Sequence, residues 1–221
     1  MIVRDDYGPI HRVAGLDVAY TKVEGYDLGI GVAAVLSYPS LAEEACYAYT
    51  RIVCIPYIPG LLAFREMAVL GPIIARLRNH VDLYVVDGHG IAHPRRFGIA
   101  SHVGVVSNTP SIGVAKKRLY GKEIAEGPLR LLVGDNGEKI AAVIESGRGK
   151  EIYVSPGHRI SLDSAVRLVK SMLKPGSRLP EPTRIADAIS KRIRREVKRT
   201  GVARPGFIEC SSSMSLDRFF G

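Results

Sequence analysis

The 221-residue sequence predicts an α/β fold, a mixed sheet covered by helices. Three observations carry that prediction. The first quarter holds three closely spaced runs rich in Val, Ile, Ala and Tyr. The middle alternates stretches of helical period with short, wholly apolar segments of the kind that form buried strands. The last third is helical and closes on a basic amphipathic segment.

Taken in order, residues 15–20 form a short β-prone run reached from a turn at Gly8-Pro9. Runs over 28–37 and 45–55 follow, separated by Gly25 and by Pro39-Ser40, and links this short predict an antiparallel meander. Pro56 to Gly60 stops the sheet, because proline cannot donate to a ladder. Over 61–78, Leu62, Met67, Leu70, Ile74 and Leu77 approximate one helical stripe, which Gly71-Pro72 is expected to kink or split. Residues 83–86 read as a buried strand that ends on Asp87-Gly88-His89-Gly90. A helix over 99–106 then leads to a strand over 111–115. Runs over 129–133 and 139–145 flank Gly134-Asp135-Asn136-Gly137 as a hairpin, and 151–154 adds a strand ending at Ser155-Pro156-Gly157-His158. Ser161 can cap a helix over 162–173, and Pro182 suits the first turn of the next. In that last helix Ile185, Ile189, Ile193 and Val197 make one apolar face. Arg184, Lys191, Arg192, Arg194, Arg195, Lys198 and Arg199 cover the rest, as a solvated outer surface or one that faces phosphates. The tail from 204 is expected to pack loosely. With no repeat and no dividing linker, residues 1–221 are expected to form a single domain.

Hydrophobic residues at 46% and charged residues at 24% are ordinary for a globular chain and exclude general disorder. Thirty-one Lys and Arg against 22 Asp and Glu give a net charge of +9, an excess that favours polyanionic partners. No apolar run approaches the ~20 residues of a membrane span. Asp5 and Asp6 stand where a signal peptide would carry its apolar core. The expectation is a soluble, cytoplasmic protein. Cys46, Cys54 and Cys210 offer no metal-type pair and no even disulfide framework, so they are expected as buried thiols in a reducing compartment. The absence of Gln and the presence of only three Asn (Asn79, Asn108, Asn136) point to a thermophilic source.

Three carboxylates keep apolar company. Asp17 lies inside the run over 15–20, Asp87 ends the buried strand, and Glu66 falls in a mostly apolar helical segment. A buried carboxylate needs a partner charge, a proton or a metal. Plain partners are available: a neighbouring amide for Asp17, Arg65 or Arg78 for Glu66, and an Asx-turn before Gly88 for Asp87. The alternative is that all three converge on Mg²⁺, which takes oxygen ligands and can activate water beside a phosphodiester. Basic charge outside and acids within suit an enzyme that cuts nucleic acid.

Five blocks make the comparison specific. They are Gly15-Leu16-Asp17-Val18-Ala19-Tyr20; the segment from Pro56 to Glu66; the segment from Asp87 to His102; Gly113-Val114-Ala115-Lys116; and Leu179-Pro180-Glu181-Pro182-Thr183-Arg184. In this order, from about residue 15 to 190, they resemble the endonuclease V family. The resemblance implies a ribonuclease H-like fold with a central five-stranded mixed sheet flanked by helices, additional strands and a C-terminal basic helix. It implies a Mg²⁺-dependent endonuclease, with Mn²⁺ able to substitute at an all-oxygen site. The substrate would be DNA with deaminated bases, chiefly deoxyinosine, nicked at the second phosphodiester 3′ to the lesion to leave 3′-hydroxyl and 5′-phosphate ends. The expected partner is therefore lesion-bearing DNA, with inosine-containing RNA as the alternative; no membrane is expected, and the chain is expected to act as a monomer.

By matching position, Asp17 and Asp87 would be the principal metal ligands and Glu66 would complete the set. Asp187 would add a further contact or simply favour the first turn of its helix. Lys116 would offset charge near the scissile phosphate, and His93 and Arg95 would reach phosphates. Pro56, Tyr57, Ile58 and Pro59 resemble a stiffened wedge whose Tyr57 stacks on bases where the lesion leaves the helix. Gly60, Leu62, Gly88, Gly90, Gly98 and Ile99 are the expected lining of a base pocket tight enough to reject the 2-amino group of guanine. A non-catalytic inosine-binding module on the same scaffold is the reading from a different class. A sugar-kinase-like phosphotransferase is disfavoured because no glycine-rich nucleotide loop is present.

Overall fold

Alternation along one strand sets the layering of the whole molecule. The computed structural model describes residues 3–56, 58, 61–203 and 205–210. In it β1 (Arg12–Val23) sends Val13 and Ala19 to one face and Ala14 and Leu16 to the other, and both faces are buried. β1 pairs antiparallel with β2 (Tyr26–Ser37), and β3 (Glu43–Ile52) completes the meander. A parallel neighbour needs a crossover. α1 (Leu62–Leu77) supplies it, returning the chain to β4 (Leu83–Asp87) on the other side of β1; α2 (Ile99–Ser107) likewise leads to β5 (Ser111–Ala115). These five strands are the expected mixed centre.

The sheet then extends well past that centre. β6 (Lys122–Glu126), β7 (Leu129–Val133), β8 (Lys139–Ser146) and β9 (Lys150–His158) form an antiparallel run that returns β9 to the edge of β5. After α3 (Leu162–Ser171) and α4 (Glu181–Thr200), β10 (Gly206–Cys210) pairs with β3. The result is a ten-stranded sheet in the order β10-β3-β2-β1-β4-β5-β9-β8-β7-β6.

Helices cover both faces. α1 and α2 close one core with Ala14, Leu16, Leu70, Ile73, Tyr84, Val86 and Val103. α3 and α4 close the other, where Ile185, Ile189, Ile193 and Val197 pack on Val13, Ile30 and Leu83. Each such buried side chain contributes about 1.5–3 kcal/mol. Ser161 caps α3 as expected, its Oγ accepting from Ser164 N at 3.2 Å. The closest approach of α4 is at Gly15, where a β-carbon would overlap the Pro182–Thr183 peptide.

Several expectations need correction. α1 is continuous through Pro72; Leu70, Ile74 and Leu77 are buried as expected, but Arg65, Val69 and Ile73 are buried with them and Leu62 is exposed. β6 had no sequence signal because its residues are exposed and mostly charged. Residues 206–210 are a sheet strand and not part of a loose tail. Cys46 and Cys210 are not free thiols: the β3–β10 register sets them opposite each other, 4.8 Å apart at Cα, in a disulfide, and the free Cys54 is exposed. Among the described residues, no helix is long and apolar enough to cross a membrane.

Candidate metal and nucleic-acid site

The period of two that points Gly15 at α4 also points Asp17 there, and Asp17 is buried. β4 ends on Asp87, one residue beyond the pairing of Leu16 with Val86, so its carboxylate arrives beside Asp17. Asp187 comes down from α4. One oxygen from each of Asp17, Asp87 and Asp187 lies within 4.8 Å of the other two. Ser190, one turn after Asp187, donates its hydroxyl to Asp17. Lys116, the residue after β5, donates its ammonium to Asp87 and, at 2.6 Å, to Asp187; Lys191 donates to the second oxygen of Asp187 at 2.7 Å.

The charges do not balance. Burial pushes the Asp17 carboxyl up to about 6, with Asp87 adding repulsion against the Ser190 hydrogen bond. Glu66 on α1 lies outside the three-oxygen set but within its field. Burial, then the charges of Asp17 and Asp87, push Glu66 up to about 8, so without a cation it keeps its proton at neutral pH. Burial alone would lower Lys116, but the Asp87 and Asp187 carboxylates outweigh it and hold the ammonium charged. Burial would raise Asp187, yet Lys116 and Lys191 hold it low. Four acids thus stand against two ammonium groups, Lys116 between Asp87 and Asp187 and Lys191 on Asp187. An all-oxygen, net-negative donor set of this spacing fits a hard divalent cation such as Mg²⁺, and Lys116 already shows that the place draws positive charge.

Beside the acids lies a recess of about 250 Å³. Leu62, Ala63 and Glu66 line it from α1, Gly88, His89, His93, Pro94 and Gly98 from the β4–α2 loop, Ile99 from α2, and Leu119 from beyond β5. The loop is fixed by Gly98 N donating to Gly90 O at 2.9 Å, Gly90 N to Ser155 Oγ at 2.8 Å, and Ile91 N to Pro156 O at 2.8 Å. Of the lining residues Leu62 and Leu119 are exposed, as are Ile58 shortly before α1 and Phe64 on it, and Phe64 and Phe97 flank His102 at 5.3 and 5.4 Å between ring centres.

The expected site residues divide clearly. Asp17, Asp87, Asp187 and Lys116 meet, with Glu66 alongside. None of the plain partners is used: Asp17 bonds Ser190, Asp87 binds Lys116, and Arg65 pairs with Asp27 at 3.0 Å. Leu62, Gly88, Gly98 and Ile99 line the recess. Gly90 does not; its missing β-carbon makes room for the Pro156 carbonyl, so it serves packing. His93 lines the recess with Nδ1 accepting from Arg95 N at 3.1 Å, while the Arg95 side chain is exposed. Pro56 and Ile58 are exposed. Tyr57, Pro59 and Gly60 lie outside the described residues. Ser190, His89 and Leu119 were missed. Only Ser190 carried a signal, as a small polar residue beside the apolar stripe of α4.

Comparison with known proteins agrees with this geometry. A curated relative from Aeropyrum pernix named endonuclease V is 52% identical over 182 residues, covering 82% of this chain and 70% of its own. The solved catalytic domain of human endonuclease V superposes with a TM-score of 0.79 at 30% identity, covering 89% of this chain and 91% of the other. Endonuclease V of Ciona intestinalis, solved with DNA containing an inosine followed by a ribo-adenosine, gives 0.77 at 29% identity, covering 89% and 92%. A family profile described as Endonuclease V matches residues 2–188. The chain belongs to the endonuclease V family and is a nuclease, a hydrolase of phosphodiester bonds.

Proposed function

We propose that this chain is a Mg²⁺-dependent endonuclease that admits a deaminated base, chiefly hypoxanthine in DNA, to the recess. It would nick the second phosphodiester on the 3′ side, leaving 3′-hydroxyl and 5′-phosphate ends. The observation that carries this reading is an apolar recess lined by Glu66 and by Gly88, the residue after Asp87, next to the cluster of Asp17, Asp87 and Asp187. The inosine-containing DNA held by the Ciona relative supports the choice of base.

Asp17, Asp87 and Asp187 would hold the cation, with Glu66 near enough to order a water. When bound, Mg²⁺ supplies activation of water and neutralisation of charge on the phosphodiester. Lys116 keeps its ammonium at the mouth of the acidic cluster, where it can stabilise charge that builds on the phosphate oxygens. Ser190 fixes the rotamer of Asp17. Burial, and then the charge of Arg95, hold the His93 imidazole below its ordinary value. With Nδ1 occupied as an acceptor, its Nε2–H is the free donor toward a base carbonyl or phosphate. The rigid loop over 88–98 keeps the recess narrow, and the exposed apolar side chains of its lining give neighbouring bases a surface on which to stack.

The test is a duplex carrying one deoxyinosine, incubated with Mg²⁺ and either wild-type protein or Asp87→Ala. A single metal-dependent nick displaced to the 3′ side, absent with Asp87→Ala, is the expected result; no cut near the lesion by the wild type overturns the reading. Matched single strands with ribose or deoxyribose around the inosine decide DNA against RNA by relative rate.

A further inference from the structure

α4 carries more positive charge than its packing uses. While Ile185, Ile189, Ile193 and Val197 hold it to the sheet, Arg184, Ala188, Lys191, Arg195 and Lys198 are exposed. Their spacing alternates steps of four and three residues, so they stand in one row along the outer face. Arg184 and Lys191 have acidic partners in Glu181 and Asp187; Arg195 and Lys198 make no ion pair among the described residues. The row meets the acidic cluster at Lys191, which is one turn from Asp187 and paired with it. At about 1.5 Å per residue, Lys198 lies about 10 Å beyond Lys191 along the axis. There it shares an open groove with exposed Lys22 of β1. Of the two acids in that groove, Asp27 is bound by Arg65 and Glu24 is exposed.

We propose that Lys191, Arg195, Lys198 and Lys22 form a track for the sugar-phosphate backbone of the strand that occupies the acidic site. The inference rests on the nucleic-acid reading of that site and adds the path of the flanking strand. Two features choose phosphate over any other occupant: the four side chains are all cationic, and Lys191 reaches the carboxylates that would hold a cation beside the scissile phosphate. A duplex strand presents one phosphate per about 3.4 Å of axis, so the stretch from Lys191 to Lys198 covers about three.

The experiment measures binding of a fluorescein-labelled duplex of about 30 base pairs with one deoxyinosine, by anisotropy, between about 50 and 200 mM KCl. Arg195→Glu/Lys198→Glu should weaken binding at the lowest salt at least about tenfold and flatten the plot of log Kd against log salt by about two. Arg195→Gln/Lys198→Gln should move both in the same direction by less. Lys170→Glu, an exposed charge reversal on α3, should keep the wild-type slope. A slope unchanged in both double variants, with melting curves confirming their fold, overturns the track, as does an equal flattening by Lys170→Glu. Nicking of the same duplex at saturating enzyme reports on the acidic site separately. Wild-type nicking with unaltered slopes overturns the track and leaves the proposed activity standing; no nicking by the wild type overturns that activity, while the slopes still decide the track.

Discussion

Replacing Cys210 by serine opens the covalent loop between β3 and β10, and the structure sets the size of the effect. The disulfide joins residues 164 apart. Chain-entropy closure of a loop that long restricts the unfolded state by about 5 kcal/mol. For a chain of this size each kcal/mol moves Tm by about 2–4 °C, so the ceiling on the loss is about 10–20 °C. Part of that ceiling is not reached if β10 peels off before the rest melts, since it is an edge strand of five residues. Thermal melts followed by circular dichroism, with and without a phosphine reductant, give the comparison. Wild-type protein should lose most of its margin on reduction, Cys210→Ser should start low and ignore the reductant, and Cys54→Ser should behave as wild type. Activity at 25 °C should survive in all three, because β10 lies three strands from β1, about 14 Å across the sheet. Equal melting temperatures with and without reductant, or alkylation of all three cysteines in the native oxidised protein, would refute the reasoning.

Two further outcomes follow from particular contacts. Glu181 is held down to about 2 by hydrogen bonds from Arg184, against its own burial and with help from Lys174. A folded pKa below its ordinary 4.5 means that this stabilisation is complete above about pH 4.5 and is lost as pH falls toward 2. Because both cations are about half exposed, about 2 kcal/mol is the expected size. Urea unfolding near pH 5.5 and near pH 3 should show Glu181→Gln losing about that much less than wild type across the acid window; parallel losses would contradict the pairing. At Gly98 a β-carbon would overlap the carbonyl oxygens of His89 and Gly90. Gly98→Ala should therefore distort the recess, cost about 1–3 kcal/mol and lower nicking more than about tenfold. Gly71→Ala, with open space around it on α1, should instead stabilise by up to about 1 kcal/mol and nick as wild type. Wild-type nicking by Gly98→Ala would remove the loop from the site.

What the sequence made legible was whatever periodicity or local contradiction could express. The central strands and the stripe of α4 follow from spacing, and Asp17 stood out because an acid inside an apolar strand is inconsistent with burial unless something compensates it. The third oxygen was harder. Glu66 and Asp187 both sit on helices, and which of them reaches the pair at the strand ends depends on how each helix docks. α4 docks close because Gly15 lets the Pro182–Thr183 peptide approach, and that brings Asp187 and Ser190 down to Asp17. The disulfide was invisible for a related reason: residues 164 apart become neighbours only through the β3–β10 register. Arg65 is buried on α1 because Asp27 and the ring of Tyr20 receive it, which no local pattern could announce.

The same logic explains why the acids and the basic surface belong to one device. A folded chain that gathers four acids beside two ammonium groups accepts both burial and repulsion, which together push Glu66 up to about 8. Hydrophobic packing does not require it, since Val13 and Ala19 of β1 and Leu83 and Val85 of β4 bury apolar side chains on the same face. The sequence compensates the cluster only in part, with Lys116 and Lys191, and places its remaining cations further out on α4, where they cannot neutralise the acids. A purely structural network would be expected to close its own charge. This one stays net negative, and on the proposed reading that leaves a place for a cation between the carboxylates, while Arg195 and Lys198 further out on α4 are left for a polyanion.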